Sequence, residues 1–197
     1  MRVWLPLKAT FLKIHYMLCQ TSIQLQCSRP TKVKIFHILA ETCGMFLLTQ
    51  CVVVLVGDSG SGKSSLARRQ VEGNFDPDSK PTIGINLTTA SAEAHSNTVK
   101  LKIWDTAGQE RYRAPTNYYN GADGVMLVYD VSQRSTYDNV SRWLGEVRNH
   151  ADAKVGLVLV GNKSDLAAQR ATTYEEGQSF ASMSLFHALA FRWSHKF

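Results

Sequence analysis

From residue 51 onward, short apolar runs alternate with amphipathic stretches. Residues 51–56 (Cys-Val-Val-Val-Leu-Val) are apolar and mostly β-branched, the pattern of a strand buried on both faces. Residues 65–70 are good helix formers, and the helix they predict should stop near Glu72, Gly73 and Asn74. Residues 82–92 are threonine-rich and extended, and His95, Ser96 and Asn97 supply a turn. Residues 99–104 then alternate apolar and polar, as the second strand of a hairpin with one wet face. Residues 124–129 and 155–160 read as further buried strands. Between them Val140, Trp143, Leu144 and Val147 form the apolar stripe of a helix that Ser135 and Asp138 open with a capping box. Residues 173–181 predict a helix with Glu175 and Glu176 in its first turn, favourable for the dipole, and residues 185–191 a last strand. Strands alternating with helices imply an α/β fold, a mainly parallel sheet with helices on both faces.

Residues 1–48 do not share this rhythm and read as an N-terminal extension without assigned order. Leu7, Phe11, Ile14 and Leu18 fall on one helical stripe, and Val33, Phe36, Ala40, Cys43 and Leu47 on another. Lys8, Lys13 and His15 interrupt the apolar centre that a secretory signal needs. The first 30 residues are basic, acid-poor and amphipathic, which a mitochondrial presequence also is. A membrane span drawn over 35–56 would contain His37, Glu41 and Gln50 and consume the first strand.

Charge follows the same division. Six basic residues face one acidic residue in 1–50, against 16 and 15 in 51–197, so five of the six net positive charges belong to the first 50 residues. The globular part carries no nucleic-acid signal. The four cysteines (Cys19, Cys27, Cys43, Cys51) have neither metal spacing nor a disulfide framework and read as free thiols.

The chemistry begins where the first strand ends. Gly57, Asp58, Ser59, Gly60, Ser61, Gly62, Lys63 and Ser64, followed by Ser65, fit G-x-x-x-x-G-K-[ST] between a strand and a helix. Glycines let successive N–H groups converge on a polyphosphate, and the helix N-terminus adds its positive end. Lys63 would reach the β and γ phosphates and the Ser64 hydroxyl would ligate Mg²⁺. Asp105, Thr106, Ala107, Gly108 and Gln109 end the hairpin strand. Asp105 can hold a Mg²⁺-bound water, the Gly108 N–H can reach a γ-phosphate, and Gln109 can orient an attacking water. Gly161, Asn162, Lys163, Ser164 and Asp165 follow another buried strand, where open α/β sheets bind ligands. Asp165 can accept from guanine N1–H and its N2 amino group, a donor pair adenine lacks, while the Lys163 stem covers the base.

Together GDSGSGKS (57–64), PTIG (81–84), WDTAGQERY (104–112) and GNKSD (161–165) resemble the Ras-superfamily small GTPases. WDTAGQERY, Tyr118-Tyr119 and Val128-Tyr129-Asp130-Val131 resemble the Rab family in particular. The resemblance covers residues 51–182 and implies a P-loop G domain of six strands and five helices. It implies Thr82 as the switch threonine on Mg²⁺, Phe75 packed edge-on near guanine, and Asn162, Lys163 and Asp165 as base readers. The implied cofactors are GTP or GDP with Mg²⁺. The implied partners are an exchange factor, a GTPase-activating protein and effectors, engaged through loops near 76–86 and 105–120.

The chain departs from the family at its C-terminal side. Family members continue with an E-[TS]-S-A-K loop, whose alanine N–H bonds the guanine oxygen, and a last helix. Here the aligned stretch is His187, Ala188, Leu189, Ala190 and Phe191, and Ser194 to Phe197 form no lipidation signal. The expectation is a G domain over 49–197 with its last helix missing and no C-terminal lipid anchor. Val52, Val54 and the 155–160 strand should then face water, unless a helix over 31–48 covers them. The function expected is a Rab-like GTP-hydrolysing switch in vesicle and membrane trafficking, with slow intrinsic turnover. It would be cytoplasmic, with an endomembrane surface as the site of full-length relatives. The alternative is a truncated, hydrolysis-deficient nucleotide-binding or interaction protein. An ATP-using P-loop kinase is disfavoured by residues 162–165.

Overall fold

The computed structural model describes residues 25–26, 50–94, 97–108, 116–184 and 187–192. Strand β1 is Leu25–Gln26, β2 Gln50–Val56, β3 Ile85–Ala94, β4 Asn97–Thr106, β5 Gly124–Asp130, β6 Gly156–Asn162 and β7 His187–Arg192. Helix α1 is Lys63–Glu72, α2 Arg134–Asp138, α3 Val140–His150 and α4 Tyr174–Met183. Short 3₁₀ turns occupy Thr116–Tyr119 and Ala167–Gln169.

The strands form a single sheet in the order β1-β7-β6-β5-β2-β4-β3. Every pairing is parallel except the β3–β4 hairpin, whose register runs from Ile85 opposite Thr106 to Ala94 opposite Asn97. The continuous apolar runs in β2, β5 and β6 sit at the sheet centre, as expected for strands covered on both sides. The residue alternation within them separates two layers. Val54, Val56, Val125, Leu127, Tyr129 and Leu159 pack with α3 (Val140, Trp143, Leu144, Val147) and with Ala181 of α4. The intervening residues point to the other layer, where α1 buries Leu66 and Ala67 beside β3 and β4.

Three sequence expectations change. The sheet gains a strand over the six implied by resemblance, because Leu25 and Gln26 pair with Phe191 and Arg192 at its edge. Val54, Val158, Leu159 and Val160 do not face water: all are at most 1% exposed, and Val52 is half-buried. The helix proposed over 31–48 lies outside the described residues. Ser135 and Asp138 form no capping box; the N-cap of α2 is Gln133, with no side-chain bond. The reason is position: the helix already starts at Arg134, so Ser135 is helical rather than an N-cap, and the Asp138 carboxylate pairs with Arg134 Nε at 3.0 Å, one helical turn back. The helix breaks at Asn139, from which α3 starts.

Among the described residues no helix is long and apolar enough to cross a membrane.

Candidate nucleotide site

At the C-terminal end of β2 the chain must turn sharply into α1, and two glycines make that turn. Gly57 has φ 139° and lies against β5, where an added Cβ would fall 2.0 Å from the Val128 carbonyl oxygen. Gly62, the N-cap of α1, has φ 94°. No side chain caps this helix start and no acidic residue occupies its first turn. Its first N–H groups have no intrahelical partner, so the loop presents them together with the positive helix end. That is a cradle for an anion.

Lys63 lies across the cradle. Its Nζ donates to the carbonyls of Gly57 (2.7 Å) and Asp58 (2.8 Å). Burial lowers its pKa to about 8, against the opposing pull of Asp105 and Asp58. Three oxygen-bearing side chains meet beside it. The hydroxyls of Ser64 and Thr82 are 2.5 Å apart, and the Asp105 carboxylate lies beside them. Asp105 is 4% exposed, and its Oδ1 is buried without a hydrogen-bond partner. Burial raises its pKa, and the Ser64 hydrogen bond, the Lys63 charge and the Thr82 hydrogen bond oppose that rise. Two hydroxyls and a carboxylate with an unmet oxygen are hard donors of the kind Mg²⁺ takes, so the residues fit that ion.

The two loops flanking this cluster are joined. Ala107 N–H donates to Gly84 O at 2.9 Å, tying the PTIG stretch to the end of β4. Gly108 lies against the phosphate loop: its carbonyl accepts from Ser59 N–H at 3.1 Å, and its Cα is so close that a Cβ would sit 2.2 Å from Ser59 N. In this arrangement the phosphate loop and the 105–108 loop clasp each other. Gln109 lies outside the described residues.

On the base side the 161–165 loop is tied to the phosphate loop and to the end of β5. Asn162 is 3% exposed; its Nδ2 donates to Ser61 O at 2.8 Å, while its Oδ1 is buried without a partner. Its side chain packs against Gly62, where a Cβ would meet Nδ2 at 2.1 Å. Asn162 therefore braces the phosphate loop. Lys163 adopts φ 60°, and its Nζ pairs with the buried Asp130 Oδ2 at 2.7 Å. Asp130 Oδ1 is satisfied by Ser132 N–H (2.9 Å) and Oγ (2.6 Å). Asp165, Ser65 and Phe75 are half-buried.

Asp58 belongs to the cradle through its main chain, whose carbonyl accepts from Lys63 Nζ. Its carboxylate points away from the cradle and accepts from Asn139, Arg142 and Trp143 of the α3 start. Asn139 and Arg142 belong to no sequence motif used above, and Trp143 and Asp130 were read only as part of an apolar stripe and of the 128–131 stretch. The one available signal was the i, i+3, i+4 spacing of the α3 trio on one helical face.

The chain matches the Ras family model over residues 52–190. It is 52% identical over 130 residues to the Ras-related protein RGP2 of Oryza sativa subsp. japonica, an alignment covering 66% of this chain and 60% of that protein. The chain thus spans less than two thirds of that relative's length. The matched stretch contains the glycine cradle, the Ser64–Thr82–Asp105 cluster and the 161–165 loop, and the chain belongs to the Ras family.

Proposed function

We propose that this protein is a Rab-type guanine-nucleotide switch that binds GTP and GDP with Mg²⁺ and hydrolyses GTP slowly. The observation that carries the reading is the convergence of an uncapped helix start, Lys63 and the Ser64–Thr82–Asp105 oxygens at one end of the sheet. In this reading the α1 N–H groups and Lys63 hold the phosphates, and Asp165 selects guanine. Ser64 and Thr82 would ligate Mg²⁺ and Asp105 would hold it through water; bound there, the ion would neutralise charge on the phosphate oxygens.

For a γ-phosphate to enter, the Ser59–Gly108 clasp has to open, which frees the Ser59 N–H and lets the 105–108 loop turn the Gly108 N–H toward it. Thr82 and Gly108 then report the γ-phosphate to loops 76–86 and 105–120, where an exchange factor, an activating protein and effectors would act. Hydrolysis releases both loops. Gln109 orients the attacking water, being neutral with both a donor and an acceptor. The WDTAGQERY stretch supports the Rab assignment and, with it, a role in membrane trafficking.

Single-turnover hydrolysis of GTP tests the reading. Phosphate release by the wild type should fall at least about 10-fold in Gln109→Leu, in line with loss of one catalytic positioning group. Equal rates in the two proteins would remove Gln109 from the reaction.

A further inference from the structure

One carboxylate of the phosphate loop is held by three donors from a distant helix. Asp58 Oδ1 accepts from Trp143 Nε1 at 2.8 Å and from Arg142 Nη2 at 3.3 Å, and its Oδ2 accepts from Asn139 Nδ2 at 2.7 Å. Residues 139, 142 and 143 share one face of the first turn of α3, which is why all three reach the same group. Arg142 also lies over the Trp143 ring, 4.9 Å from its centroid, and covers the outer side of the cluster. Trp143 is 7% exposed and anchored in the α3 core layer.

The fit is electrostatic as well as geometric. Helix α3 has no acidic residue in its first turn and no side-chain cap of its own. The Asp58 carboxylate supplies negative charge at that helix end, where the dipole favours it. The main chain of the same residue faces the phosphate site: Asp58 O accepts from Lys63 Nζ at 2.8 Å and from Ser61 N–H at 3.2 Å. A single residue thus joins the lysine of the cradle to a helix 81 to 85 positions away in sequence.

Resting on the guanine-nucleotide reading above, we propose that Asn139, Trp143 and Asp58 are positioning residues: they clamp the phosphate loop in its nucleotide-holding shape and so set how long nucleotide stays bound. Glycine-rich loops lose more conformational freedom on ordering than other segments. An anchor at the first residue after Gly57 removes part of that freedom before the ligand arrives. Trp143, hydrogen-bonded to the loop, becomes an optical reporter of it.

The test uses the full chain loaded with fluorescent mant-GDP and chased with excess GDP, with thermal unfolding measured alongside. Asp58→Asn removes the charge, and Trp143→Phe removes only the N–H donor and part of the ring. Each should release nucleotide about 10-fold faster, the equivalent of about 1.4 kcal/mol and at the lower edge of what a hydrogen bond to a charged group contributes. In the wild type, nucleotide release should shift the tryptophan emission, and Trp143→Phe should abolish that shift although Trp4, Trp104 and Trp193 remain. A lowered melting temperature with unchanged release rate and unchanged emission response would make the cluster merely structural and overturn the proposal. If Asp58→Asn does not fold, Trp143→Phe and Asn139→Ala decide by the same two readouts. A wild type that retains mant-GDP, with unchanged release in the variants, overturns the clamp alone. A wild type that retains none overturns the nucleotide reading and the clamp with it.

Discussion

Gly57→Ala tests whether the β2–α1 turn is built as described, with Gly60→Ala as its matched control. Both glycines have positive φ, 139° and 77°, so both substitutions force an alanine into backbone space that L-residues avoid. They differ in what the new methyl meets. At Gly57 it lies 2.0 Å from Val128 O, 3.1 Å from Val128 C and 3.3 Å from Val128 N; at Gly60 nothing lies within 4 Å. The Val128 backbone cannot retreat freely, because β5 is held by β2 on one side and β6 on the other. Backbone strain costs on the order of 1–3 kcal/mol in either variant. The collision at Gly57 adds about 1–3 kcal/mol more, the usual range for forcing an extra methyl group into a packed site. In a chain of this size 1 kcal/mol moves the melting temperature by roughly 2–4 °C. Gly57→Ala should therefore melt roughly 2–12 °C below Gly60→Ala, measured by circular dichroism without added nucleotide. Equal melting temperatures for the two variants would refute the packing of the turn against β5.

Two further outcomes follow from the electrostatics and the caps. Burial lowers the Lys63 pKa from 10.5 to about 8 in the ligand-free fold; phosphate oxygens should restore the ammonium. Nucleotide binding should thus take up close to one proton at about pH 9 and few at about pH 7, with affinity weakening as pH rises above about 8. Titration calorimetry in buffers of different ionisation enthalpy reads the uptake, and the same uptake in Lys63→Met would assign it elsewhere. By the same sign, in the ligand-free protein this group binds more protons unfolded than folded between about 8 and 10.5, so its contribution to stability rises with pH across that window. At α4, Thr173 Oγ1 accepts from Glu176 N–H at 3.2 Å and Glu176 Oε2 accepts from Thr173 N–H at 2.8 Å. Thr173→Ala should cost about 1 kcal/mol and lower the melting temperature by roughly 2–4 °C, with Thr173→Ser close to wild type; an unchanged melting temperature in Thr173→Ala would show the box to be idle.

What the sequence revealed was local. The β2, β5 and β6 runs, the Gly57–Ser64 loop and the helix stop at Gly73 each depend on neighbours within a few positions, and the structure keeps all of them. The Thr173–Glu176 box was also legible as T-x-x-E, though only the acidic first turn was used. The Ser135–Asp138 pair has the same form and fails, because the helix starts at Arg134 and leaves Ser135 inside it rather than at its cap. What the sequence could not reveal is tertiary. Asp58 and Trp143 are 85 positions apart, and Asn162 and Ser61 are 101 apart, so no spacing rule links them. The burial of Val158 and Val160 was likewise invisible to an argument that counted only the family's own helices.

Guanine selection rests on Asp165 in the proposed switch. Competition against bound mant-GDP by unlabelled GDP, ADP and xanthosine diphosphate measures it most directly, in the wild type and in Asp165→Asn. Wild type should be displaced by GDP and not by ADP at the same concentration. Asp165→Asn replaces a paired acceptor with a mixed donor and acceptor; it should lose GDP affinity by at least about 10-fold, the scale set by a hydrogen bond to a charged group. It should gain affinity for the xanthosine nucleotide, whose 2-oxo group accepts where guanine donates. ADP competing as well as GDP in the wild type, or an Asp165→Asn protein with wild-type preference, would contradict the account.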